Sequence, residues 1–78
     1  MDIFDVTAAC LGCTYISDLR RIRITESQAD AIRSLPENIF PLPDFNRLAE
    51  YITGEKVSFP TAAKAKEAII HSLLFSLV

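Results

Sequence analysis

Three of the chain's four prolines, Pro36, Pro41 and Pro43, fall between residues 36 and 43, near the middle of the sequence. A proline fixes φ, lacks an amide hydrogen and pushes the preceding residue away from helical dihedrals. The stretch Leu35-Pro36-Glu37-Asn38-Ile39-Phe40-Pro41-Leu42-Pro43 is therefore expected to be an extended linker, neither helix nor central strand. Ile39, Phe40 and Leu42 are apolar, so the linker is expected to lie across a core.

Either side of this linker, the apolar spacing reads as helix. The first segment runs from about Asp2 to Leu11, with Phe4, Ala8 and Leu11 along one face. Gly12 either caps it in the left-handed region or lies inside a longer helix. If the helix continues, Ile3, Val6, Cys10 and Cys13 form a second apolar stripe. Thr25-Glu26-Ser27-Gln28 has the form of a capping box and opens a second helix that turns Ala29, Ile32 and Leu35 inward. After the linker, Asp44 is the expected N-cap of a third helix bearing Phe45, Leu48, Ala49 and Ile52, which Gly54 ends. Pro60-Thr61 opens a fourth, reaching to about Leu77.

Two segments change period. Arg20-Arg21-Ile22-Arg23-Ile24 and Lys56-Val57-Ser58-Phe59 alternate polar and apolar residues, as short strands do. The expected fold is mostly α: a compact four-helix small domain, single over residues 1–78. A short two-stranded β ribbon pairing 22–24 with 57–59 is an optional addition.

The second half of the last helix carries Ile70, Leu73, Leu74, Phe75, Leu77 and Val78, which together cover most of its circumference. A helix apolar nearly all round must be buried nearly all round. A chain of 78 residues forms one small core of marginal stability, often supplemented by self-association. These observations point to a partner, most simply a second copy in a two-fold dimer. The candidate partner interface is Ile70, Leu73, Leu74, Phe75 and Leu77, with Ile3, Val6 and Cys10 from the outer stripe of the first helix.

Cys10 and Cys13 are the residues that look most like chemistry. A structural zinc site needs four ligands, and this pair supplies two, with His71 the sole histidine. A redox dithiol wants its first cysteine at a helix start, whereas this pair falls at an end or middle. Both are read as small apolar packing residues. No cofactor or metal is expected, and with two glycines and no motif-spaced nucleophile and base, no enzyme either. His71, one turn after Glu67, reads as a surface pair.

The net charge is −2, which argues against a dominant polybasic patch. Acids at Asp2 and Asp5 stand where a signal peptide wants Lys or Arg, and the apolar run from Ala68 is too short to span a bilayer. The default location is the cytoplasm, where the thiols stay reduced.

One local pattern resembles a known family. Ala8-Ala9-Cys10-Leu11-Gly12-Cys13-Thr14 followed by Tyr15-Ile16-Ser17-Asp18-Leu19 is similar to the helix-turn-helix of lambda-repressor-like domains. Those often read Ala-x-x-Leu-Gly-Val-Ser, two further residues, then Tyr-Ile-Ser-x-Leu; here those two residues are missing. The resemblance implies a DNA-binding regulator. Thr14, Tyr15 and Ser17 would face DNA, and Arg20, Arg21 and Arg23 would hold phosphates. Against it stands the plainer view that the arginines are the solvated face of an edge strand. The primary expectation is thus a non-enzymatic interaction module that self-associates, with a small DNA-binding regulator as the alternative.

Overall fold

The computed structural model describes residues 2–75. Four α-helices follow one another: α1 (Ile3–Cys10), α2 (Glu26–Arg33), α3 (Leu42–Thr53) and α4 (Ala62–Leu74). A short 3₁₀ helix, Ile16–Arg20, lies between α1 and α2. No strand occurs among the described residues.

Local chemistry sets most of the helix ends. Asp2 Oδ1 accepts from the amides of Phe4 and Asp5 and starts α1. Its other end is a Schellman motif: Gly12 adopts φ 70°, the Cys13 amide donates to Ala8 O at 2.8 Å and the Gly12 amide to Ala9 O at 3.3 Å. Gly12 therefore ends the helix. The Thr25 capping box forms as the sequence implies, with the Gln28 amide donating to Thr25 Oγ1 and the Thr25 amide to Gln28 Oε1. Gln28 Nε2 also donates to Leu11 O at 3.3 Å, which ties α2 to the carbonyl end of α1.

α3 begins three residues earlier than expected. Pro41 is its N-cap, Pro43 sits in its first turn, and Asp44 pairs with Arg47 instead of capping. First-turn amides have no intrahelical partner, so a proline there forfeits nothing. The linker proper is correspondingly shorter. Leu35 and Phe40 are buried, Phe40 standing edge-on to Phe45 at 6.4 Å, while Ile39 is exposed.

The expected ribbon does not form, because each alternating segment is bonded to a helix instead. Asn46 clamps Phe59 at both backbone groups, accepting from its amide at 2.8 Å and donating to its carbonyl at 3.2 Å. The Ile24 amide donates to Leu73 O at the C-terminal end of α4. The in-out alternation is real: Ile24 is buried and Ile22 half-buried, while Arg21 and Arg23 are exposed.

The core gathers Phe45, Leu48, Ala49 and Ile52 of α3, Ala65, Ile69, Ile70 and Leu73 of α4, Ala29 and Ile32 of α2, and Ile3, Ala8 and Leu11 from α1 and its end. α4 packs against both α3 and α2. Two neighbours on adjacent sides give α4 a wide buried arc, and that arc accounts for much of its apolar circumference. The radius of gyration is 11.1 Å, near the ~11.5 Å expected for a folded chain of this length.

Lys66 lies inside this arc at 4% exposure. Its Nζ donates to Leu35 O at 2.7 Å, Arg33 O at 3.0 Å and Glu37 Oε2 at 2.8 Å. It also stands 5.4 Å from the Phe45 ring centroid. The ammonium thus satisfies carbonyls at the end of α2 that have no helical partner, and fixes the turn into Pro36.

Candidate functional site

The apolar residues expected at an interface separate into two groups. Ile3, Ile70 and Leu73 are each 2% exposed and belong to the chain's own core, so they are not surface. The correction has one cause: α1 and α4 each meet more than one neighbour within the chain. Val6 and Leu74 are half-buried against that core, Cys10 is exposed and Phe75 is 63% exposed. Phe75 stacks against His71, ring centroids 5.0 Å apart. Leu77 lies outside the described residues.

Cys10 and Cys13 are free. Cys13 is the residue that closes the Schellman motif, half-buried against the core. Burial, reinforced by the nearby Asp18 carboxylate, pushes its thiol pKa up, the opposite of what a nucleophilic thiol needs. Among the described residues, no three His, Cys, Asp or Glu side chains gather in one place.

The six residues expected to touch nucleic acid are all exposed. They do not sit on a recognition helix: residues 16–20 form a 3₁₀ helix of five residues, initiated where Asp18 Oδ2 accepts from the Tyr15 amide. Ser17, Arg20 and Arg21 do come together, at a hollow of about 350 Å³ completed by Tyr51. Thr14, Tyr15 and Arg23 do not line it.

A second open hollow of about 470 Å³ adjoins the first, sharing Arg20 and Tyr51 and adding Phe4, Arg47, Glu50, Gly54, Glu55 and Lys56. Arg20 is the centre of this face. Its guanidinium carbon stands 5.4 Å from the Tyr51 ring centroid. Gly54 flanks it so closely that a Cβ there would lie 3.5 Å from Arg20 Nη2. Phe4 meets the Tyr51 ring edge-on at 5.6 Å and holds it in place. The C-terminal end of α3 also favours a cation at this point.

Four of the chain's eight Lys and Arg residues, Arg20, Arg21, Arg47 and Lys56, line the two hollows. Among the described residues, Arg47 pairs with Asp44, whereas Arg20, Arg21 and Lys56 have no carboxylate within ion-pair distance. The arginine run was visible in the sequence. Tyr51, Arg47 and Lys56 were not linked to it, because they join through the packing of the 3₁₀ helix on α3, which leaves no local pattern. Comparison with known proteins adds no assignment: no family model, no curated protein and no solved structure matches this chain significantly.

Proposed function

We propose that this chain is a non-enzymatic interaction module that engages an anionic partner through the face centred on Arg20. One observation carries the reading. In a chain of net charge −2, half the cations line one pair of adjoining hollows, and the central arginine is held between an aromatic ring and a helix end with no carboxylate in ion-pair distance among the described residues. Guanidinium groups fixed in this way keep their fork of donors available to oxyanions at low ordering cost. Amide-shift mapping by NMR tests it, with sulfate, pyrophosphate and a heparin tetrasaccharide as probes. Shifts confined to residues 17–21 and 47–56, weakening with added salt, are the expected result. If no probe produces shifts localised there, the reading fails.

A second reading, self-association, rests on Phe75, 63% exposed beside the half-buried Leu74 at the end of α4. A clean monomer by light scattering at tens of micromolar would overturn it.

A further inference from the structure

The two hollows of the cationic face differ in charge. The larger carries Glu50 and Glu55 beside its cations. The smaller, formed by Ser17, Arg20, Arg21 and Tyr51, has no carboxylate in its lining among the described residues. A polyanion laid along the face would have to cross the acidic pair. A compact dianion placed in the smaller hollow avoids it. Tyr51 is not open for base stacking, since Phe4 meets its ring edge-on and Arg20 stands over it. The hollow therefore favours an oxyanion over a nucleobase.

From this geometry we infer that the smaller hollow is a seat for a single phosphomonoester group, deepening the anionic-partner reading on which it rests. Arg20 and Arg21 supply guanidinium donors to the phosphate oxygens, and the Ser17 hydroxyl supplies a neutral donor. A monoester carries nearly two charges at neutral pH and three acceptor oxygens. A phosphodiester carries only one charge, and in a longer strand it also brings neighbouring phosphates toward Glu50 and Glu55. The chemistry is common to a small phosphorylated metabolite and to a phosphorylated side chain in a peptide.

The test titrates the labelled chain with inorganic phosphate, O-phosphoserine, a phosphoserine pentapeptide and a dinucleoside phosphodiester. Saturable shifts at Ser17, Arg20 and Arg21 are expected with the monoesters, and weaker ones with the diester. Tighter binding of the pentapeptide than of phosphoserine identifies a peptide source, and equal binding a small-molecule source; either supports the seat. Arg20→Lys and Arg21→Lys keep the charge but remove the fork, and each is expected to weaken phosphoserine about tenfold. Arg23→Lys, outside the hollow, leaves binding unchanged. Lysine variants that bind phosphoserine like the parent, or a diester that binds as well as the monoesters, overturn the seat while leaving a general anionic face intact. Absence of any localised shift, including with pyrophosphate and heparin, overturns both.

Discussion

Lys66 shows how one buried charge organises a small helical domain. Its three ammonium donors meet two main-chain carbonyls and one carboxylate, so the chain end of α2 and the turn into Pro36 depend on one side chain from α4. Lys66→Met keeps the aliphatic stem but leaves the carbonyls of Arg33 and Leu35 without their donor. The expected loss is about 2–3 kcal/mol, a fall in Tm of roughly 10–20 °C for a chain this size. Glu37→Gln, whose side chain is 53% exposed, is expected to cost under about 1 kcal/mol. Thermal denaturation of the two variants checks both values; equal losses would show that the carbonyls do not matter. The cysteines make a separate prediction. Burial and the Asp18 charge raise the Cys13 pKa in the folded state, so folding favours the neutral thiol. Its contribution to stability is complete below the unfolded thiol's pKa and is lost as pH rises through the higher folded value. At mildly alkaline pH, iodoacetamide should label exposed Cys10 quickly and Cys13 slowly, as read by peptide mass spectrometry. Equal rates would contradict the half-buried placement.

Helix ends that depend on neighbours in sequence were legible before the fold was known. The Thr25–Gln28 box spans four residues and forms as read. Gly12 and Gly54, at φ 70° and 75°, end their helices as left-handed residues should. Asp44 does not cap α3, because a proline in a first turn costs no hydrogen bond and Pro43 therefore does not mark the boundary it would mark elsewhere. The optional ribbon is absent among the described residues for a different reason. Val57–Phe59 has the alternation of a strand, but the groups that satisfy Phe59 belong to the Asn46 side chain, 13 residues away. Period alone does not reveal a partner of that kind. The same limit hid Lys66, whose acceptors lie 29 to 33 residues distant, and separated Tyr51 from Arg20 in the candidate site. If the clamp holds the segment, Asn46→Ala leaves a half-buried amide and carbonyl of Phe59 unpaired. It should cost about 1–2 kcal/mol, and amide exchange at Phe59 should accelerate well beyond exchange at Ile24, which donates to Leu73 O. Similar acceleration at both amides would mean that the whole domain opens together and the clamp is not local.

The chain as a whole closes its core around residues that an apolar pattern alone would assign to a partner. Leu73 in the last turn of α4 and Phe75 at its C-cap stand two residues apart, and the circumference argument treats them alike. The packing separates them: Leu73 is 2% exposed between neighbouring elements of its own chain, and Phe75 is 63% exposed. Folding and association are therefore expected to answer to different residues. A chain of 78 residues has a stability of about 4–12 kcal/mol. Leu73→Ala should remove about 2–5 kcal/mol of it, as large-to-small changes in a closed core do. Phe75→Ser should move the urea midpoint by no more than about 0.5 kcal/mol in equivalent stability, because little of the ring is covered. If copies of the chain associate through the end of α4, Phe75→Ser should lower the mass measured by light scattering while leaving the midpoint of the dilute monomer unmoved. At concentrations where light scattering gives the monomer mass, the parent's midpoint should stay constant, and any rise at higher concentration measures binding between copies already folded. A dilute monomer that shows no cooperative urea transition would show instead that association completes the fold, and the closed core of the single chain would not be sufficient.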